Sequence, residues 1–372
     1  MARFTARFPS LLLAVLLLSP RFCGGLGFAQ PDTAGAMPAR ASEVEFFPII
    51  SYDSDAGFGY GGKVFAVGMF AEDESFDLTL FNSSKGERWY RFVFSIPDFE
   101  RRQGMVYPAA LDIVIDYDKW IAANFFGIGN TSRYDDRRQY TKEPLELSIA
   151  CSRGFTRTIV GQIGIRFKAV RNFSIETGNL LLALPSPINT GRASALSVFA
   201  TLRYDTRNSY INASEGTVIQ WEGEWAPQGS MTDVGFARIA GWFQFYHRII
   251  GPVVLAGRAG LSGVAGNDVP VQFLLPVGGG STVRGSPQDR LLGRLAAITN
   301  VEFRFPIVWR LCGIVGGDAG QVWERASLMS FDRWLINGVA GLRLVMDTFV
   351  VRLDFGAGKE SSGVYVNFGH VF

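Results

Sequence analysis

Beyond residue 30 the chain has no apolar run approaching the roughly 18 residues that mark a membrane-spanning helix. That absence excludes a helical bundle as the main membrane architecture. It leaves strands, which cross a bilayer in about 9–11 residues of alternating polarity. Histidine is nearly absent, with only His247 and His370. A histidine-rich metal centre is therefore unsupported, as are Ser/His/Asp and Cys/His catalytic arrangements. The expectation is a protein that is not an enzyme and holds no cofactor or metal. Cysteine is scarce too: Cys23, Cys151 and Cys312 lie far apart, which argues against a disulfide framework. Neither sign of charge dominates. A net charge of +2 with no polybasic tail speaks against nucleic acid as a partner. No solenoid-length repeat and no low-complexity tract is present.

Glycine and phenylalanine are plentiful instead, at 43 and 31 of 372 residues. Hydrophobic residues make up 48% and charged residues 19%. This composition suits many strands, tight turns and aromatic girdles. The first residues read as an address: Arg3 and Arg7 precede the short apolar stretch Ser10 to Leu18, and Gly27-Phe28-Ala29 offers a small-residue cleavage site before Gln30. Residues 1–29 are thus expected to be a signal peptide. Lipid attachment at Cys23 is disfavoured, because Pro20-Arg21-Phe22 is a poor lead for it. Residues 30–44 read as a short linker with no room for a soluble domain before the barrel.

From Glu45 onward, polarity alternates with a period of two. Ile163, Ile165 and Phe167 interleave with Gln162, Arg166 and Lys168. Ile219, Trp221 and Trp225 interleave with Gln220, Glu222 and Glu224. Val301, Phe303 and Phe305 interleave with Asn300, Glu302 and Arg304, and Val351, Leu353 and Phe355 with Arg352 and Asp354. A soluble sandwich also alternates. Here, however, the apolar faces carry no charge, as lipid demands, while the opposite faces carry both signs, as a wet lumen permits. Such segments fall at about 45–53, 57–68, 75–83, 87–96, 109–118, 142–153, 156–168, 195–205, 216–226, 233–247, 251–263, 294–305, 310–318, 335–345, 349–357 and 363–371. They predict a 16-stranded antiparallel transmembrane β-barrel over residues 45–372, integral to a bacterial outer membrane and in contact with its lipids. If Glu45 starts at the periplasmic side, the long connections at 119–141, 169–194, 264–293 and 319–334 all face outward. The tightest turns, at 154–155, 248–250, 306–309 and 346–348, all face the periplasm. The connections at 97–108 and 206–215 are of intermediate length and fit this asymmetry less well.

The most specific segment is Gly278-Gly279-Gly280-Ser281-Thr282-Val283-Arg284-Gly285-Ser286, inside the longest outward loop. With Glu302-Phe303-Arg304-Phe305-Pro306, Gly317-Asp318-Ala319-Gly320, Gly338 to Arg343 and Arg352-Leu353-Asp354, it resembles the BamA-type outer-membrane assembly and surface-antigen superfamily. Phe125 to Asn130 and Tyr204 to Arg207 extend the resemblance upstream. The family's loop motif is Val-Arg-Gly followed by an aromatic. Here Val283, Arg284 and Gly285 match it and Ser286 departs from it, while Gly316 stands where the family's next strand has Phe. The resemblance implies a barrel domain whose loop at 264–293 folds into the lumen, with Arg284 at its tip and Asp318 and Glu302 as partners. The family's periplasmic POTRA repeats find no counterpart. Independently, a guanidinium fork suits carboxylates, Glu302 shares the lumen face with Asn300 and Arg304, and the flanking glycines let a loop approach the wall. The alternative is a solvent-exposed glycine-rich loop whose arginine binds nothing. Phosphate cradling by Gly278 to Ser281 is disfavoured, since the lysine and the strand-to-helix context are missing. Arg203, Arg258, Arg343 and Asp354 are further lumen charges, read as a pore lining or as a balanced hydrated interior.

The final segment ends in Gly369-His370-Val371-Phe372, with Val364, Val366, Phe368, His370 and Phe372 on one face. A terminal strand ending in Phe resembles the signal read by outer-membrane insertion machinery, which would then be a partner during biogenesis. Pro48, which cannot donate a ladder hydrogen bond, and Gly369 are expected to weaken the seam between first and last strands. In the resembling family such a seam is implicated in lateral opening for client strands. Three readings follow. One is assistance to insertion or translocation of client barrel or passenger proteins. The second is a passive pore or solute channel, and the third a structural surface antigen or a translocator separated from its passenger.

Overall fold

The computed structural model describes residues 42–372 apart from 54–56, 71–72, 187, 190 and 347–349. The signal segment and most of the linker expected at 30–44 lie outside the described residues. The strands are β1 (Glu43–Asp53), β2 (Gly57–Val67), β3 (Ser75–Ser83), β4 (Arg88–Ile96), β5 (Tyr107–Phe125), β6 (Arg138–Gly154), β7 (Ile159–Phe173), β8 (Arg192–Asp205), β9 (Gly216–Ala226), β10 (Phe236–Ile250), β11 (Val253–Ala265), β12 (Leu275–Val277), β13 (Leu291–Gly293), β14 (Leu295–Val308), β15 (Leu311–Trp323), β16 (Leu335–Val345), β17 (Val350–Gly358) and β18 (Ser362–Phe368). All but β12 and β13 form one 16-stranded antiparallel sheet in chain order, from β1 at one edge to β18 at the other. Neighbouring strands pair in register along the sheet, with shifts only in the β5–β6, β10–β11 and β14–β15 ladders, and this pairing is how strands crossing lipid satisfy their backbone groups.

The sheet is a β-barrel turned inside out relative to a soluble protein. On β14, Val301 and Phe303 face outward and are exposed, while Asn300, Glu302 and Arg304 face inward and are buried. On β17, Leu353 and Phe355 are exposed while Arg352 and Asp354 are buried. Trp221, Trp225, Ile163 and Ile165 lie on the same outer surface. Apolar side chains exposed in such number need lipid around them.

Long connections gather at one end and short turns at the other. β5 and β6 run past their neighbours at the long-loop end, where a register shift between Trp120 and Ala123 carries Phe125 inward. There Phe125, Leu181, Phe273, Leu274, Leu275, Val277, Val283, Leu291 and Leu292 form an apolar cluster with inward residues of the wall, including Val264, Ile298 and Val322. The 266–294 connection is thus not structureless: β12 and β13 make a small hairpin within it that the alternation did not reveal.

The two connections of intermediate length are explained by where they go. In 97–106, Asp98 and Arg102 are buried and Arg102 grips both oxygens of Asp112 at 2.6 Å. In 206–215, Ala213 packs with Val218, Tyr246 and Ala256. Both fold back on the short-turn end, so their length serves packing. Two sequence boundaries are corrected. β1 begins at Glu43, inside the expected linker. The last strand stops at Phe368 and not at 371: Gly369 still donates to Val350 O at 2.7 Å, but its φ of +77°, a left-handed conformation that favours glycine, turns the chain out of the sheet after it.

Candidate functional site

Arg284 sits at the tip of the 266–294 connection and is completely buried. Its Nε and Nη2 donate to the two carboxylate oxygens of Asp318 at 2.7 and 2.8 Å, a bidentate fork. Its Nη1 donates to Glu302 Oε1 at 2.6 Å and to Asp354 Oδ2 at 3.2 Å. Its backbone N–H also donates to Asp318, at 3.0 Å, and its carbonyl accepts from Asn337 Nδ2 at 2.8 Å. β15, β14 and β17 each contribute one inward carboxylate, and strand register sets their heights: Asn300 stands opposite Asp318, and Glu302 opposite Gly316. Burial works against the arginine's charge, but the hydrogen bonds to Asp318 and the fields of Glu302, Asp318 and Asp354 outweigh it and push its pKa up.

The loop reaches the wall because both sides lack side chains where they meet. Gly285 has φ +93°, and a Cβ there would stand 2.5 Å from Gly356 C; a Cβ on Gly356 would stand 2.4 Å from Arg284 C. Val283 is buried against Gly320 of β15. Where the resembling family carries an aromatic, Ser286 instead accepts from Asn337 Nδ2 at 2.9 Å. An aromatic reaches the loop from β18: Tyr365 Oη accepts from Gly285 N and donates to Ser286 O, both at 3.0 Å. The missing Phe at Gly316 has a steric reason, since a Cβ there would lie 2.0 Å from Val301 O.

The structure therefore brings together Val283, Arg284, Gly285, Asp318 and Glu302. Sequence reasoning held Asp354 only as a general lumen charge, and it missed Asn337 and Tyr365 as partners of the loop. Their inward phase on β16 to β18 was the available signal. It also missed a second attachment at the long-loop end. Arg290, buried between Phe126 and Tyr134, binds Glu360 bidentately at 2.6 and 2.7 Å and donates to Ser132. Beside it Lys142 pairs with Asp289 at 3.1 Å.

Pro48 and Gly369 lie apart from this site. Pro48 is exposed within β1 and stands opposite Gly62 in the β1–β2 ladder, so it belongs to the paired region. Among the described residues no ladder joins β1 to β18. Past Gly369, Phe372 does not continue the strand. Its ring lies against Tyr246, Arg258 and Arg304 on the inward faces of β10, β11 and β14.

An apolar outer surface, a charged interior and an unbroken series of antiparallel pairings define an integral β-barrel of the bacterial outer membrane. The family model for the Omp85 superfamily domain matches residues 69–359, and the chain belongs to that superfamily. Its fold is similar to that of BamA from Haemophilus ducreyi lacking POTRA domains 1–3, with a TM-score of 0.60, 13% identity, and coverage of 88% of this chain and 69% of that one. CdiB from Acinetobacter baumannii is similar with a TM-score of 0.54, 13% identity and coverage of 89% and 65%. CdiB from Escherichia coli gives 0.60, 11%, 96% and 67%. The chain thus spans about two thirds of the length of these structures. No curated protein matches its sequence. Family and fold together support a role in protein insertion or translocation at the outer membrane without singling out one.

Proposed function

We propose that this barrel assists the insertion or translocation of client barrel or passenger proteins at the outer membrane, as a non-enzymatic assembly factor. The observation that carries the reading is the buried Arg284 fork, which ties an inserted loop to carboxylates of β14, β15 and β17. In this reading Arg284, with Asp318 and Glu302, is a lock that holds the loop in one position while the wall near β1 and β18 exchanges partners. Pro48 in β1 has no N–H to donate and the left-handed Gly369 turns the chain away after β18, so regular pairing is interrupted on both edge strands, where a client strand would add by backbone pairing. The sorting role of the terminal Phe372 and the export role of residues 1–29 belong to the same proposal. The passive-pore reading is less favoured, because an apolar cluster and the inserted loop fill the interior at the long-loop end.

Arg284→Ala tests the reading in cells, scored by heat-modifiable migration of the barrel and by the outer-membrane proteome. The expected result is a barrel that still inserts while its clients fall in abundance, together with loss of cross-links from cysteines in β1 to a client strand. Robust ion conductance that ignores Arg284→Ala, with an unchanged proteome, would instead establish the channel.

A further inference from the structure

On the short-turn side of Arg284 the same wall carries a second set of arginines. Arg304, Arg343 and Arg352 are 6%, 1% and 4% exposed. Arg343 and Arg352 stand directly opposite in the β16–β17 register, so two like charges share one face, an arrangement that costs stability unless a counter-charge lies between them. The nearby carboxylates are already engaged. Asp318 serves Arg284 and Asn300. Asp354 serves Arg343 at 2.6 Å and Arg284 at 3.2 Å, and meets Arg352 only at 3.7 Å. Glu302 is divided among Arg284, Arg304 and Arg343. With Arg258, five guanidiniums face three side-chain carboxylates.

The imbalance shows at the level of atoms. Arg304 Nη1, Arg343 Nε, and Arg352 Nε and Nη1 are buried and have no hydrogen-bond acceptor. Buried charged donors without acceptors are among the costliest features a structure can hold. The segment after Gly369 turns toward the same cluster. Arg258 Nη1 donates to Val371 O at 3.1 Å, and Arg304 Nη2 reaches a Phe372 oxygen only at 3.4 Å. His370 lies within electrostatic reach of Arg304, Arg343 and Arg352. Its Nε2 meets Asn212 Oδ1 at 3.1 Å, and its buried Nδ1 has no partner.

We propose that Arg304, Arg343 and Arg352 form a binding site for a small oxyanion, a carboxylate or phosphate group, with residues 369–372 as its cover. The planar fork of each guanidinium matches the paired oxygens of either group. One such group would supply acceptors for the unpaired donors and the counter-charge between Arg343 and Arg352. The site is separate from the client-handling reading and stands or falls on its own.

Calorimetric titration of the whole barrel, folded in detergent micelles at constant ionic strength, tests this. Inorganic phosphate and acetate are titrated separately, with chloride as the reference. One anion per barrel is expected to bind. Arg352→Gln and Arg304→Gln should each weaken it about tenfold or more, close to 1.4 kcal/mol. Arg203→Gln, at a lumen arginine bonded to Gln103, should leave binding unchanged. Binding of phosphate alone identifies a phosphate source, and binding of acetate a carboxylate such as an acidic peptide side chain. No saturable binding of either anion overturns the proposal, as does equal binding by wild type and both glutamine variants. Heat-modifiable migration verifies that each variant is folded. Removing excess buried charge should leave the glutamine variants no less heat-resistant than wild type in anion-free buffer.

Discussion

Two buried charge clusters share the wall from β11 to β17, one around the single Arg284 and one around three arginines, and they are balanced differently. Around Arg284 the donors meet close acceptors: Asp318 takes the fork, and Glu302 and Asp354 share Nη1. Around Arg304, Arg343 and Arg352, four buried donors meet none. Inward phase cannot be the cause, since the wall residues of both clusters, on β14 to β17, all point into the lumen. What differs is what each was matched to. A satisfied network fixes one arrangement and adds rigidity, whereas an unsatisfied one is costly until something completes it. The first therefore has the character of a fastening within the chain and the second that of a receptor.

Asp318→Ala should have the largest effect on this contrast. It removes the fork and leaves Arg284 buried with Glu302 and Asp354 alone, converting the balanced cluster into an unbalanced one. Breaking a buried pair on one side costs about 3–5 kcal/mol. The variant should unfold at markedly lower denaturant, and residues 266–294 should become open to protease from the long-loop end. Wild-type protease resistance would mean that the apolar cluster and the Arg290–Glu360 pair hold the loop unaided.

Glu302→Gln links the two clusters, because Glu302 serves Arg284 through Oε1 at 2.6 Å and Arg304 through Oε2 at 2.9 Å. The amide keeps the shape and one acceptor but deletes a charge. Hydrogen bonds to charged groups are worth about 1.5–3 kcal/mol, so a loss within that range is expected in unfolding experiments. The second cluster becomes more positive, so phosphate or acetate should bind more tightly than to wild type. Lower stability together with weaker anion binding would show that Glu302 holds Arg304 and Arg343 in the binding geometry.

Period-two alternation made the barrel legible, down to the number of strands and the gathering of the long loops at one end, because lipid imposes one rule on every segment. The pairing of Arg284 with Asp318 and Glu302 could be reached from motif and phase. Asp354 and Tyr365 could not be singled out in the same way. Their closeness to the loop depends on β17 and β18 lying beside β16 at matched heights, a register of Asp354 opposite Gly341 and Tyr365. Arg290 was invisible for a different reason: its partners Glu360 and Ser132 sit in other loops, which have no periodicity to read. The departure of Phe372 from the last strand turned on the single backbone angle of Gly369. A glycine in a strand announces freedom but not the direction taken.

Tyr365→Phe should give the smallest effect and the finest discrimination. The ring remains against Gly280, but the hydroxyl that joins Gly285 N to Ser286 O is lost. Two loop backbone groups then lose a neutral partner, at about 0.5–1.5 kcal/mol for each hydrogen bond. The Arg284 fork does not use that hydroxyl, so the loop should stay protected from protease at rest and become cleavable only at lower denaturant than wild type. Anion binding should not change, because the Tyr365 hydroxyl bonds to the loop backbone and to none of Arg304, Arg343 and Arg352. Loss of anion binding in the Tyr365→Phe barrel would mean that the seating of the loop, through Gly280 O and its bond from Arg352 Nη2 at 3.1 Å, sets the position of the second cluster. The two clusters would then be one device and not a fastening beside a receptor.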